Sequence, residues 1–415
     1  MAPETLLTII LIIVAVDFAI DQVLNYLNLK HQKTELPDEL KGIYDEEKYK
    51  KSQEYQKENE RLGFVSSILS FIVMIGMLAL GGFGWLSNYI SELFSSPMIS
   101  SLVFFAVLFV ASDIISLPFS IYKVFKIEEK YGFNKMTAGT FISDKIKGYI
   151  LTFLFGGLIF VIFFYLIETL DQNFWLWFWL VISGIILLVN MFYTSLILPL
   201  FNKLNPLEEG ELRTAIQEYS SKINFPLTNI YVMDGSKRSS KANAFFSGIG
   251  KKKKIVLFDT LINNHTKEEL VAVLAHEVGH FKKKHIVTGF VLSVLQIGVM
   301  LFILSRFIFS DTLSQALGAE TSVVHLNLIA FGILFTPISH IVGIIMNVVS
   351  RKNEYEADGY AASTYSASAL MDALKKLSVN NLSNLTPHPA YVFVHYSHPP
   401  LLARLRFLNS FKSDK

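Results

Sequence analysis

Seven long apolar segments constrain the fold of this 415-residue chain more than any other feature. A helix that crosses the hydrocarbon core of a bilayer needs roughly 20 mainly apolar residues. Only 17% of the residues are charged, whereas soluble domains carry about a quarter. The sequence therefore predicts a mainly α, polytopic membrane protein, and it excludes both a soluble enzyme and a disordered chain. The predicted spans are about 5–27, 64–87, 99–122, 148–170, 173–200, 286–309 and 323–349.

The basic residues indicate how these spans are oriented. All 37 Lys and Arg residues except Arg306 fall on one side of the predicted membrane. Because cytoplasmic loops carry the excess of Lys and Arg, we expect this side to face the cytoplasm and the N-terminus to be extracytoplasmic or lumenal. The membrane would be the endoplasmic reticulum in a eukaryote, and the inner or plasma membrane in a bacterium. The net charge of +2 indicates no nucleic-acid partner.

Polar residues interrupt three of the apolar segments. Asp17 and Asp21 lie one helical turn apart in the first, Asp113 lies in the third, and His325 and His340 lie in the seventh. Acids inside a bilayer are costly and normally face a bundle interior or a water-filled space. Interhelical hydrogen bonding and a hydrated cavity both remain open as explanations.

The chain divides into four predicted regions, with spans one to five in 1–200 and spans six and seven in 286–350. The region between them, 201–285, is expected to form a small α/β segment. The tail, 351–415, would continue the last span and then form a helix near 367–378 and another from about 399. The elements predicted for 201–285 are a helix over 208–223, strands at Asn229–Asp234 and Lys254–Thr260, and a helix from Thr266 to His280. The charge run Lys251–Lys254 is expected to form a solvated sheet edge or to contact lipid headgroups.

The segment 274–280 contains an H-E-x-x-H pattern that is typical of a metal site. On a helix, residues four apart share a face, so His276 and His280 can bind one ion while Glu277 projects beside it. Zinc accepts two such nitrogens and a carboxylate, which leaves a fourth position for water. The alternative is a pair of surface histidines. Apolar neighbours such as Leu270 and Leu274 disfavour it because they predict a buried, zincin-like helix.

The third ligand must come from elsewhere in the chain. Glu354 and Asp358 lie four apart on one helical face, which suits one ligand and one supporting carboxylate. Asp358 would accept the other ring N–H of a ligand histidine and fix its tautomer. Glu356 points about 160° or more away from Glu354 and is the weaker candidate. The alternative for Glu354 is a surface ion pair with a basic neighbour.

These motifs resemble one particular family. H-E-x-x-H followed by Glu354-Tyr355-Glu356-Ala357-Asp358 is similar to the type I CAAX prenyl endopeptidases, which are membrane zinc metallopeptidases. The matches are spread over most of the chain. Four further stretches share the resemblance, namely 127–134, 235–240, 255–261 and 396–402.

The resemblance implies a barrel of seven helices around a large hydrated chamber, with the site at its cytosolic end. It implies one Zn²⁺ ion bound by His276, His280 and Glu354, with Glu277 as the catalytic base. The substrate would be a prenylated C-terminal peptide or protein that is cut after its modified cysteine, and the lipid bilayer would be a second partner.

The resemblance also implies residues that bind and orient the substrate peptide, Asn243 and His398. His398 is a candidate second donor to the oxyanion, and its alternative is a structural loop histidine. Zincins bind their substrate as an extended strand at a sheet edge, and segment 241–248 is placed for that role. Asn243 would then bind the peptide backbone; alternatively, it only stabilises a turn.

Parts of the sequence are also compatible with two other functions. A membrane quality-control zinc protease that acts on misfolded membrane proteins keeps the chemistry and changes the substrate, and the four additional stretches disfavour it. A non-catalytic transporter or channel would use the intramembrane acids to bind ions. The sequence shows no repeated halves, which disfavours that class.

Overall fold

The chain is mainly helical in a computed structural model that describes residues 1–33, 35–37, 40, 45–225, 229–247 and 254–411. Part of the predicted charge run, 251–253, lies outside the described residues, as do Gly248 and residues 412–415. The α-helices in this part of the chain are α1 (Pro3–Lys30), α2 (Glu46–Ala79), α3 (Gly82–Leu93), α4 (Pro97–Tyr122), α5 (Ala138–Leu151), α6 (Gly157–Leu170), α7 (Phe174–Phe192), α8 (Glu211–Lys222), α9 (Asp259–Asn264), α10 (Lys267–Lys282), α11 (His285–Ser305), α12 (Asp311–Ala316), α13 (Val324–Ala361), α14 (Ala367–Asn380), α15 (Pro389–His395) and α16 (Leu401–Ser410).

Six helical stretches among the described residues are long and apolar enough to cross a membrane. The prediction of a multi-spanning, mainly α protein is therefore confirmed. Two predicted spans, 148–170 and 173–200, fall within a single stretch of 63 residues. The six stretches are Pro3–Lys30, Glu46–Ala79, Pro97–Glu128, Ala138–Leu200, His285–Ser305 and Val324–Asn380.

The predicted second span, 64–87, is wrong at its C-terminal end, because α2 ends at Ala79. Gly81 has a φ of 68°, a left-handed conformation that glycine adopts without steric cost, and α3 starts directly after it. Gly84 of α3 then packs against the backbone of Gly318. A Cβ at Gly84 would lie 2.6 Å from the Gly318 carbonyl oxygen, so this approach requires glycine.

The polar residues inside the apolar segments have polar partners on other helices. This observation favours interhelical hydrogen bonding as one of their roles. The pairs are Asp17 with His340 at 2.5 Å, Asp21 with His395 at 3.8 Å, Asp113 with Lys145 at 2.5 Å and with the Tyr149 hydroxyl, and His325 with Ser87 at 2.8 Å and Ser101 at 2.9 Å.

A four-stranded sheet lies between the two groups of membrane helices in the sequence. Its order is β1-β2-β4-β3, with β2 parallel to β4 and β3 antiparallel to β4. The two predicted strands are confirmed as β2 and β4, and β1 and β3 add to them. Strand β3 forms an edge of the sheet within segment 241–248. The bounds are β1 Leu204–Pro206, β2 Ile230–Met233, β3 Ala244–Ser247 and β4 Lys254–Phe258.

Helix α10 begins as predicted. Thr266 accepts a hydrogen bond from the backbone N–H of Glu269, and the Glu269 carboxylate accepts one from the N–H of Thr266, which forms a capping box. The helix is buried along most of its length and packs closely on α13 at Gly279. A Cβ there would lie 3.0 Å from the Cα of Ala357.

Helix α13 continues without interruption from the apolar segment into the tail, as predicted. It therefore presents Glu354 and Asp358 to α10 on the same rigid element. The helices expected near 367–378 and from about 399 are confirmed as α14 and α16. Helix α15 lies between these two helices, where the sequence pattern indicates no helix.

Candidate metal centre

Three side chains from two helices converge on one point. His276 and His280 extend from α10, and Glu354 extends from α13, where only 4% of the residue is exposed. The two imidazole Nε2 atoms lie 3.1 Å apart. The Glu354 carboxylate oxygens lie 3.5 Å from Nε2 of His276 and 3.3 Å from Nε2 of His280. The three residues form the one group of potential metal ligands found among the described residues.

The spacing of these donor atoms fits a divalent metal ion. Metal–nitrogen bonds of about 2.0–2.1 Å in a tetrahedron place neighbouring ligand atoms about 3.3 Å apart, and the three measured separations lie close to that value. Glu354 Oε2 is buried and accepts no hydrogen bond in the described part of the chain. A buried acceptor of this kind is costly unless a cation lies beside it. Arg404 Nη1 lies 3.4 Å from this oxygen without forming a hydrogen bond, and a metal ion would satisfy the oxygen directly. The surface ion pair considered for Glu354 is not formed.

Each of the two histidines is also held through its second ring nitrogen. Nδ1 of His276 lies 2.9 Å from the carboxylate of Asp358, which is fully buried. Asp358 in turn accepts two hydrogen bonds from Arg404, at 2.6 and 2.8 Å. Electrostatic attraction from Asp358 and Glu354 outweighs the effect of burial and raises the pKa of Arg404, so this buried guanidinium stays charged. Arg404 was not predicted.

His280 is supported differently, through His285, a residue that no sequence pattern indicated. Its Nδ1 lies 3.0 Å from Nδ1 of His285, and Nε2 of His285 lies 3.2 Å from the carboxylate of Glu356. Glu356 points away from Glu354, as expected, and reaches the site only through His285. The turn before α11 holds Lys284 at a φ of 61°, a strained conformation that occurs at functional sites.

Glu277 lines a cavity of about 640 Å³ beside the ligands. Burial raises the pKa of this carboxyl group, and attraction to His276 and His280 opposes that rise. A carboxylate whose pKa is raised is a stronger base than an exposed one. Glu277 can therefore accept and return a proton at the edge of the metal site.

Asn243 and His398 both line the same cavity. His398 Nε2 lies 3.2 Å from the Glu354 carboxylate, and 64% of its side chain is exposed. Asn243 directly precedes edge strand β3, and its side chain accepts a hydrogen bond from the backbone N–H of Ala244 at 2.8 Å. Asn381, directly after α14, contacts both backbone groups of the adjacent Ala242: its side chain accepts from the N–H and donates to the carbonyl oxygen, each at 3.2 Å.

A helical membrane protein with an H-E-x-x-H helix, a carboxylate from a distant helix that converges on it and a cavity beside them has the architecture of a membrane metallopeptidase. Residues 25–203 match the family model described as CAAX prenyl protease N-terminal, five membrane helices, and residues 206–412 match that of peptidase family M48. The chain belongs to the CAAX prenyl proteases of peptidase family M48 and is an integral-membrane metalloendopeptidase. The resemblance seen in the motifs is thereby confirmed.

Individual relatives cover almost the whole chain. The CAAX prenyl protease 1 homolog of Arabidopsis thaliana is 35% identical and aligns over 90% of both chains. CAAX prenyl protease 1 of Saccharomyces cerevisiae is 33% identical over 96% of this chain and 94% of its own. The crystal structure of S. mikatae Ste24p superposes with a TM-score of 0.92 at 32% identity, covering 97% of this chain and 99% of that chain.

Proposed function

We propose that this chain is a zinc endopeptidase that hydrolyses peptide bonds near the C-terminus of prenylated, CAAX-type proteins or peptides. The observation that carries the proposal is the near-tetrahedral spacing of His276, His280 and Glu354, with Glu277 beside them. The names of the chain's relatives, CAAX prenyl protease 1 and its homologues, support prenylated CAAX proteins as the substrate class.

We assign seven spans, with the N-terminus outside the cytoplasm and the catalytic residues facing it. The long stretch 138–200 supplies two of these spans. Asp171 adopts a positive φ of 49° between α6 and α7, and the rings of Phe163 and Phe178 pack 4.9 Å apart on either side of it. This contact requires the two helices to lie side by side, as an antiparallel hairpin does.

The proposed regions are spans one to five in 1–200, the cytosolic zincin-like α/β segment in 201–285, spans six and seven in 286–350, and the cytosolic tail in 351–415. We further assign the seven helices to a barrel around a hydrated chamber. The polar residues inside the apolar segments support that arrangement, because such residues normally face water or a bundle interior.

His276, His280 and Glu354 would hold a zinc ion, which would supply Lewis-acid activation of a water molecule and of the scissile carbonyl group. Glu277 would accept the proton of the water that attacks the carbonyl carbon. Glu277 then delivers the proton to the leaving amine. His398, which lies beside Glu354 at the cavity, donates a hydrogen bond to the developing oxyanion.

The substrate peptide would lie along β3. This strand pairs with β4 on one side only, and its residues line the cavity beside Glu277. An extended peptide can therefore add to the sheet through backbone hydrogen bonds. Asn243 lies at the start of the strand, where its amide can bind the peptide backbone.

The surrounding residues would set the tautomers of the ligands. When Nε2 of a histidine binds the metal, its proton resides on Nδ1. His276 then donates to Asp358, which Arg404 holds in place. His280 donates to His285, and the proton on Nε2 of His285 is donated to Glu356.

The proposal is tested with the full chain purified in detergent. We expect about one zinc ion per chain and chelator-sensitive cleavage of a farnesylated CAAX peptide, with its unmodified twin cleaved much more slowly. A protein without bound zinc would overturn the metal assignment. Equal cleavage of the two peptides would favour the quality-control protease over the prenyl protease.

A further inference from the structure

A second cavity, of about 680 Å³, lies between α2 and the end of α4 and shares no residue with the metal-site cavity. Helix α2 contributes Arg61 and the apolar side chains of Leu62 and Val65. Tyr122 at the end of α4 and Lys126 in the following turn form the opposite wall. The lining also includes the Glu58 carboxylate, so the cavity combines basic and apolar surfaces with one acidic group.

The sequence places this cavity at the boundary of the hydrocarbon core. Helix α2 is rich in charged residues up to Arg61 and carries none from Leu62 to its end at Ala79. Along the second wall the sequence changes from apolar to basic, because α4 ends at Tyr122 and a turn with two lysines follows. Both transitions occur at the cavity, so its basic part lies at headgroup level and its apolar part faces the acyl chains.

Beyond the basic part of the cavity, polar contacts join α2 to the turn that follows α4. The Tyr55 hydroxyl of α2 donates to Glu128 at 2.6 Å, and Lys241 lies 3.1 Å from the same carboxylate. On the other side the cavity reaches Val65 and Tyr122, which are 56% and 53% exposed. A ligand can therefore enter from the bilayer.

Two of the basic side chains lack an anionic partner. Lys130 forms an ion pair with Glu58, but neither Arg61 nor Lys126 forms one in the part of the chain that the structure describes. Lys126 extends from a π-helical turn, Lys123–Glu128. Such turns are rare and frequently occur at functional sites.

We propose that this cavity binds the headgroup of an anionic phospholipid. Arg61 and Lys126 contact the phosphate, for which the planar guanidinium provides paired donors. The acyl chains follow Leu62, Val65 and Tyr122 into the bilayer. Basic pockets between membrane helices bind anionic headgroups in this way. The inference goes beyond peptide hydrolysis and requires no metal.

The test is native mass spectrometry of the full chain in detergent, titrated with phosphatidylglycerol, with phosphatidylcholine or with inorganic phosphate. We expect phosphatidylglycerol to bind preferentially, and the double variant Arg61→Gln/Lys126→Gln to weaken this binding roughly tenfold to thirtyfold. The matched control Lys57→Gln/Lys123→Gln removes two exposed charges outside the cavity, one from α2 and one from the turn after α4, and should change binding less than twofold. Arg61→Lys/Lys126→Arg, which keeps both charges, should retain binding.

Several outcomes would overturn the proposal. Equal binding of the two phospholipids would remove the requirement for an anionic headgroup. An equal loss in the control variant would show a general effect of surface charge. Competition by millimolar inorganic phosphate would identify a free-phosphate site. If the double variant Arg61→Gln/Lys126→Gln raised the KM for a prenylated peptide without changing lipid binding, the cavity would instead bind the substrate. None of the lipid measurements depends on bound zinc. Their outcome is therefore independent of whether the proposed peptidase function is correct.

Discussion

The Nδ1 atoms of His280 and His285 lie 3.0 Å apart. One of the two must donate a proton to the other. If His280 binds metal through Nε2, the donor is His280, and His285 must then carry its own proton on Nε2, where Glu356 accepts it at 3.2 Å. Two carboxylates on α13 thus serve the site in different ways. Glu354 reaches the donor cluster directly, and Glu356 reaches it through His285.

The first prediction concerns this chain of contacts. Glu356→Ala or His285→Phe should weaken zinc affinity about tenfold to a hundredfold, because His280 loses the partner that orients its ring and fixes its tautomer. Competition with a fluorescent zinc chelator measures the change. The control is Lys352→Ala. It removes an exposed side chain whose Nζ lies 3.9 Å from the Glu356 carboxylate. Wild-type affinity in both site variants would rule out the positioning role.

Replacing the proposed base should separate metal binding from chemistry. Glu277→Gln should keep stoichiometric zinc and lose peptide hydrolysis by about a hundredfold or more, because the amide cannot accept the proton of the attacking water. His276→Ala should lose both. Metal analysis beside a peptide cleavage assay gives the answer, with exposed Glu268→Gln of the same helix as the control. Full activity of Glu277→Gln would refute the assignment of the base.

The third ligand can be tested on its own. Glu354→Ala should lower zinc occupancy strongly, because two imidazoles alone leave the ion without its anionic protein ligand. Occupancy is measured by metal analysis after dialysis against a weak chelator. Thr364→Ala, on the π-helical turn that follows α13, provides a comparison away from the site. If occupancy stays at the wild-type level, the third ligand must be another residue.

The packing of α10 on α13 gives a prediction about stability. In Gly279→Ala the new Cβ would lie 3.0 Å from the Cα and 3.1 Å from the carbonyl oxygen of Ala357, so the two helices must separate. Overpacking of this kind typically costs about 1–3 kcal/mol. Thermal unfolding in detergent should show a lower midpoint. Gly343→Ala, where nothing lies within 4 Å of the new Cβ, should not lower it.

Local patterns were enough to predict several parts of the site. The spacing of His276, Glu277 and His280 sets them on adjacent positions of one helix, and the same periodicity relates Glu354 to Asp358. Thr266 and Glu269 define where α10 begins. These features could be predicted because helical geometry depends on neighbouring residues in the sequence.

Other features could not be found from spacing. Arg404 comes from the last helix and reaches Asp358 through packing, and no motif connects the two. A lysine-rich turn separates His285 from His280. Only the direction in which α11 leaves that turn brings the His285 ring into contact with His280. The turn at Asp171 was inferred only as a gap between apolar segments.

The sequence by itself therefore determined that the chain spans a membrane many times, and that one helix carries a metal-binding pattern. Apolar length and helical periodicity are local properties, and they can be read without a fold. The tertiary structure decided which distant groups meet at that helix. It also decided that the basic turn after α4 faces α2 across a cavity. Contacts between helices depend on how whole elements pack, and this information is not contained in any short segment of the chain.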